Sequence, residues 1–426
     1  MDVKTYELTG EQIYMYGSQM AGFGIGCIMG GSMTVKGSCS TERMQHAGNE
    51  VVRINDGLRT RVVKGEDGVP VQYVVPFEER EFKVMEFADA DELDRFGAEW
   101  IDIPFEMDAD HELFEMIIVQ LPDSYGALFK IHHIISDAWT CMLVGDQFLR
   151  ILNGETPKAY PFTDYVVKMR DYAETGRYKK DMEFFEAQKK ELPQKTYVSP
   201  EPMLSAKKHW IEYELSDEEA GILKEYVKNG GSSEHNLFAT AVCAWISRMI
   251  GKERFYIGVI AMNRSGYKEK NSVGQYASSI PLIVECDPKK SFADNAAKIG
   301  SAFFAGYRHQ RTASGVYGYN DTPYDFWISY QNASLKSGIE ARAKEYPSGQ
   351  LGRILLLEII DRGDGKITLL FEHNVKYSDK KAARLVKEVP AILMEGIRDS
   401  SRTIGDITDQ VMGPESGLNR IRKWIR

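Results

Sequence analysis

Two adjacent imidazoles, with a carboxylate four residues after the second, stand in the segment Ile131-His132-His133-Ile134-Ile135-Ser136-Asp137-Ala138-Trp139. A neutral imidazole is the side chain best suited to taking a proton near pH 7. It must also be aimed. From Ala127 to Ile134 the chain alternates like a strand, with Phe129, Ile131 and His133 on one side and Leu128, Lys130 and His132 on the other. Only one of the two histidines can then face a given cavity. Because adjacent strand residues point apart and cannot chelate one ion, no metal is expected here. After Asp137 the spacing turns helical, with Trp139, Met142, Leu143, Phe148, Leu149 and Leu152 on one broad face and Gly154 where a helix would stop. Asp137, or Ser136 before it, is a natural helix cap. The segment therefore predicts a turn from strand to helix, a rigid place to hold a base. A lone histidine in an apolar strand is more often a hydrogen-bonded core residue, and Asp137 alone would be an ordinary cap.

The surrounding elements must position this turn. A strand from Phe114 to Leu121 and the turn Pro122 to Gly126 predict a hairpin that delivers His133. Upstream, Met44, Ala47, Val51 and Ile54 suggest a helix closing at Asn55-Asp56-Gly57, followed by two strands around the turn Lys64 to Gly68. Helices are expected over Thr163 to Thr175 and Tyr178 to Glu191. Pro193 and Pro200 flank a stretch without periodicity, which places a lobe boundary near residue 195.

The second half restarts with a strand from His209 to Leu215, a helix capped by Ser216 and Glu219, and an apolar helix from Asn236 to Ile250 ended by Gly251. The buried-strand run Phe255 to Ala261 leads to Met262-Asn263-Arg264. A buried arginine there needs a carboxylate or local carbonyls as partners. On the later strand Asp325 to Asn332, Ser329 and Gln331 point to the same side, where they could meet a substrate or neighbouring backbone. A hairpin, Leu355 to Ile360 and Ile367 to Phe371 around Gly363-Asp364-Gly365, and a helix from Asp379 to Ile397 follow, before a polar, basic stretch from Pro414 to Arg426.

The 426 residues suffice for two sizeable cores, and 43% hydrophobic with 27% charged residues is an ordinary globular composition. No apolar run approaches the roughly 20 residues of a membrane span, and Met1 is followed by Asp2 and Lys4, not a signal-peptide core; a cytoplasmic location is the expectation. Five scattered cysteines without a CxxC pair argue against a disulfide framework or a cysteine zinc site. A net charge of -9 makes nucleic acid an unsuitable partner. No G-x-S-x-G or cysteine-histidine signature supplies a covalent nucleophile.

His132 to Ala138, reading HHIISDA, resembles the HHxxxDG motif of the condensation domains of nonribosomal peptide synthetases, with Ala138 where the family has glycine. The opening Tyr6-Glu7-Leu8-Thr9-Gly10-Glu11-Gln12 resembles the family's Y-x-L-T/S-x-x-Q, and Asn55 to Val62 its H-D/E-x-L-R-T-R-F segment, with Asn55 for the usual histidine. The regions around Arg264 and Gln331 fit as well, while Phe184-Phe185 stands where a tryptophan is frequent. The matches run in order from residue 6 to about 400.

The resemblance implies an α/β fold of two chloramphenicol-acetyltransferase-like lobes, residues 1–195 and 196–413, forming a V-shaped pseudo-dimer with the active-site tunnel between them; residues 414–426 would begin a connector. It implies amide formation between a donor acyl or peptidyl thioester and the amine of an aminoacyl thioester. The substrates would ride on the phosphopantetheine arm of carrier domains, or the donor on coenzyme A, with no permanently bound cofactor. Donor and acceptor carriers and an adjoining adenylation domain would be the partners. Because the chain begins at its own Met1, the donor would arrive in trans. His133 would be the base or orient the amine, His132 would be structural, and Asp137 paired with Arg264 would fix the loop. Trp139, Ser329 and Gln331 would contact substrate, and backbone amides after Asp137 would hold the oxyanion. Ala138 narrows the room a glycine would leave. The alternatives are a free-standing acyl-CoA-dependent acyltransferase of the same superfamily and a non-catalytic module that recruits partner enzymes. The cyclising subtype, which has aspartates for the histidines, is excluded, and the epimerising subtype would follow a carrier domain.

Overall fold

The computed structural model describes residues 4–192, 194–199, 208–315, 322–332, 339–346, 348, 355–361, 363, 365–375 and 377–413. Pro193, Pro200, Asp364 and the expected connector from Pro414 lie outside them. Contacts sort the chain into two compact units that are not contiguous in sequence. The first holds the described residues of Met1–Tyr178, Met262–Ala277 and Leu335–Leu351, and the second those of Lys179–Ala261, Ser278–Ser334 and Gly352–Arg426. A single cut near residue 195 therefore differs from this division in three segments: the described residues of 179–195 group with the second unit, and those of 262–277 and 335–351 with the first, because packing and not chain order decides where Arg264 and Tyr346 are buried. The Thr196 to Ser199 stretch, expected as linker, is tied into the second unit, where Asp325 accepts the Val198 and Ser199 N–H groups at 2.7 and 2.8 Å.

In the first unit a five-stranded sheet runs in the order Arg342–Glu345, Ile28–Lys36, Ser124–His132, Phe114–Gln120, Lys83–Glu86. The histidine strand pairs antiparallel on both flanks, with His132 opposite Ile28 and Ile131 opposite Phe114. The predicted hairpin is therefore present, and it lies at the centre of its sheet. A smaller sheet joins Thr5–Glu7, Pro70–Val74 and Thr60–Lys64. Beside it, the Arg59 side chain donates to the Val52 and Val75 carbonyls and Arg61 donates to Glu112, which are structural roles. Asn55 closes the helix Thr41–Ile54, donating to the Val51 carbonyl and to Gln147.

The second unit is built on a six-stranded mixed sheet, Ser278–Glu285, Arg254–Ala261, Phe326–Asn332, Leu355–Asp361, Ile367–Asn374, Lys208–Glu214. One face, carrying Ile257, Val259, Phe326, Ile328, Leu357 and Leu369, packs with the helices Glu234–Ile250 and Asp379–Arg398 into a continuous core. Ser233 caps the first of these helices and Gly251, at φ 66°, ends it. The capping box of Ser216 and Glu219 is formed on the helix Asp217–Lys228. Among the described residues no helix is long and apolar enough to cross a membrane.

Candidate active site

The histidine strand ends at His132, two residues before the end of the alternation that runs to Ile134. His133 opens a one-turn 3-10 helix, His133–Ile135, and the helix Ala138–Leu152 follows. The two histidines are thus separated by a change of backbone direction as well as by strand alternation. His132 is fully buried, whereas His133 is half-buried.

The His132 ring is held at both nitrogens. Its Nδ1 accepts the Ile134 N–H at 2.9 Å, so the proton of the neutral ring is on Nε2, 3.2 Å from Gln19 Oε1. Phe105 covers it edge-on at 6.1 Å. Burial, with His133 adding a smaller push in the same direction, lowers its pKa to about 3. His132 is therefore neutral throughout the physiological range, and protonating Nδ1 would break its bond to Ile134. In the second unit, burial likewise lowers His235 to about 4. An unfolded chain takes up protons on these two residues below about pH 6.5 that the folded chain does not. Stability should therefore fall as the pH drops from about 6.5 toward 4. Urea midpoints at pH 7, 6 and 5 would show a smaller decline in His132→Gln if this assignment is correct.

On the same strand Lys130 is buried, with Nζ 3.0 Å from Glu115 and over the Trp100 and Phe105 rings at 4.8 and 4.7 Å. It shares with His132 the side that alternation assigned to both.

Asp137 caps the following helix, accepting the Thr140 N–H at 2.8 Å. It also accepts Arg264 at 2.9 and 3.0 Å and the N–H groups of Tyr276 and Ala277, each at 3.1 Å. Asp137 and Arg264 are both buried. Both partner types foreseen for the arginine are present, since it donates as well to the carbonyls of Glu269, Ser272 and Gly274 at 2.7, 2.6 and 2.9 Å. Its guanidinium lies 3.9 Å from the centre of the Tyr276 ring. These bonds consume the acceptor capacity of the carboxylate and tie it into the scaffold.

The 262–277 segment is fastened at further points. Thr140 Oγ1 donates to the Gly274 carbonyl at 2.7 Å, and Trp139 Nε1 to the Lys270 carbonyl at 2.9 Å. A Cβ on Gly57 would lie 2.2 Å from the Val273 carbonyl oxygen. Gly57→Ala should therefore cost about 1–3 kcal/mol, measurable as a lowered urea midpoint.

Ala138 is the first residue of its helix and does not have a positive φ. The methyl therefore strains no backbone. Trp139 is half-buried, with its N–H engaged as above. Ser329 and Gln331 belong to the second unit, on the sheet face that carries Trp327 and opposite the core face. Ser329 is buried, and the Gln331 amide donates to Glu358 on the neighbouring strand at 2.5 Å. Phe184 stacks on His309 at 4.2 Å.

Sequence reasoning named Gln12 only as part of the opening pattern, without its contact to the histidine turn, and missed Gln19. Gln12 was legible in part, since Thr-x-x-Gln is a capping-box pattern. Its side chain accepts the Thr9 N–H and also donates to the Ile134 carbonyl at 3.1 Å. Gln19 carries no local sequence signal, because its partners are 86 and 113 residues away.

A family model described as condensation domain matches residues 3–324. Surfactin synthase subunit 1 of Bacillus subtilis (strain 168) is 23% identical over 284 residues, 63% of this chain and 8% of the relative. Bacitracin synthase 3 of Bacillus licheniformis is 23% identical over 316 residues, 72% of this chain and 5% of the relative. The chain thus spans less than a tenth of the length of these relatives. Among solved structures, the first condensation domain of the calcium-dependent antibiotic synthetase matches with a TM-score of 0.82 at 16% identity, over 95% of this chain and 99% of that one. A variant of the starter condensation domain of rhizomide synthetase, in complex with C8-CoA, matches at 0.81 and 14%, over 94% and 97%. These structures share the α/β fold seen here. The histidine motif, its buried carboxylate–arginine lock and the extent of the family match lead to one conclusion: this chain belongs to the condensation-domain family, whose members form amide bonds by acyl transfer.

Proposed function

We propose that this chain joins a donor acyl thioester to the amine of an aminoacyl thioester held on a carrier domain. The amine nitrogen attacks the thioester carbonyl carbon, the C–N bond forms, and collapse of the tetrahedral intermediate breaks the C–S bond. The proton lost by the nitrogen ends on the departing thiolate. His133 takes that proton on the way, or orients the amine if it arrives neutral. The carrying observation is the division of labour in the motif: His132 and Asp137 are buried and hydrogen-bonded into the scaffold, while His133 retains exposure. Thioesters are already activated, so holding the reactants together supplies the larger share, roughly 7 to 11 kcal/mol, and proton management roughly 3 to 5.

The synthase names of the relatives support carrier and adenylation domains as partners, and a cytoplasmic location is proposed with them. The C8-CoA bound by the rhizomide starter domain supports coenzyme A as an alternative donor carrier. Trp139, Ser329 and Gln331 are proposed substrate contacts. Intact-protein mass spectrometry of an aminoacyl-loaded acceptor carrier tests the reading, with acyl coenzyme A donors in one set and acyl or peptidyl carriers in the other. Acylation from coenzyme A identifies a chain-initiating domain, and acylation from carriers alone an elongating one. Absence of any mass shift with every donor, while the carrier still binds, would overturn the reading in favour of a recruiting module.

A further inference from the structure

The turn that carries His133 is clamped at both polar ends of Ile134. The Ile134 N–H donates to His132 Nδ1 at 2.9 Å, and its carbonyl accepts from Gln12 Nε2 at 3.1 Å. Gln12 is fully buried and forms a reciprocal amide pair with Gln72, at 2.9 and 2.8 Å. His132 is in turn fixed by Gln19, whose Oε1 lies 3.2 Å from Nε2 and whose amide donates to the Phe105 carbonyl at 3.1 Å. Gln19 directly follows the helix Gly10–Ser18, and the chain kinks shortly after it at Gly22, whose φ is 86°. Gly24 leaves the space that the Gln19 amide fills, since a Cβ there would lie 2.7 Å from Gln19 Oε1.

We propose that Gln12 and Gln19 are positioning residues that fix the His133 turn, Gln12 through the Ile134 carbonyl and Gln19 through the His132 ring. A three-residue 3-10 turn has poor hydrogen-bond geometry of its own, and here its closing bond, Ser136 N–H to the His133 carbonyl, spans 3.3 Å. The side-chain clamps therefore set where His133 points. The Gln19 bond also selects the Nε2–H tautomer of His132, which leaves Nδ1 able to accept from Ile134. The inference rests on the reading of His133 as the acting group.

Two variants separate positioning from mere folding. Gln12→Glu keeps the acceptor that caps Thr9 but replaces the NH2 group that donates to Ile134 and Gln72 with a buried carboxyl, so its kcat is compared per folded molecule at a temperature below its own Tm. Gly24→Ala is compatible with its helical backbone, at φ -55°, and displaces the Gln19 amide without altering any clamp residue. Each is read by kcat, by KM for donor and acceptor separately, by Tm, and by 15N-histidine NMR of His132, assigned by the signal lost in His132→Gln.

The expected result is a fall in kcat of up to about 10²-fold with KM unchanged. In Gly24→Ala the His132 ring should also lose its single Nε2–H tautomer. An unchanged kcat in both variants, a fall that tracks loss of folded protein, or an Nδ1–H tautomer in the wild type would overturn the inference. If the wild type acylates no acceptor with any donor, the proposed function fails. The wild-type tautomer, compared with that in Gly24→Ala, then still decides whether the clamp exists.

Discussion

His133→Ala is expected to lower kcat by about 10²- to 10⁴-fold, the usual worth of a positioned general base, with little change in Tm. The small stability effect follows from partial exposure, since truncating a half-buried side chain at a short turn creates no closed cavity. The comparison with its neighbour is diagnostic. His132→Ala removes a fully buried ring together with the acceptor for Ile134 and should lower Tm and kcat together. Single-turnover acylation of a loaded acceptor carrier, alongside thermal unfolding of both variants, measures the contrast. Equal rates for wild type and His133→Ala would remove His133 from the chemistry and leave positioning as the whole of catalysis.

Removing either partner of the Asp137–Arg264 pair should destabilise the first unit by about 3–5 kcal/mol, because the survivor is left as an uncompensated buried charge. Asp137→Ala also strips a helix cap and the acceptor for the Tyr276 and Ala277 amides, so it should be the more severe. Arg264→Met conserves volume but leaves the Glu269, Ser272 and Gly274 carbonyls short of a donor. The double variant should cost less than the sum of the two, since each single change already forfeits the shared interaction. Urea unfolding of the four proteins gives the coupling energy. A coupling near zero would mean that the arginine serves the local carbonyls and the carboxylate serves the cap independently.

The strand–turn–helix around His133, the hairpin that delivers it, the caps at Asp137, Ser216 and Gly251, and the core helix Glu234–Ile250 were all legible locally. Each depends on residues within a few positions of one another, where periodicity and capping chemistry act. A charge at the end of a buried strand demands an opposite charge or carbonyls, and Arg264 has both; that the carboxylate is Asp137 was implied by the family resemblance and not by the local pattern.

Three features were not legible. The place where the histidine strand gives way to the 3-10 turn depends on the Gln12 and His132 bonds to Ile134, made across 122 and two residues. Residues 262–277 and the Arg342–Glu345 strand join the first unit through packing that no local pattern encodes. The partner of His132 Nε2 is Gln19, 113 residues away. The sequence alone determined which side chains could do chemistry and which local element presents them, because hydrogen-bonding chemistry and side-chain period are properties of neighbours. The tertiary structure decided which of those side chains are consumed as scaffold and which retains exposure, because burial and the saturation of acceptors depend on what the rest of the chain brings against them.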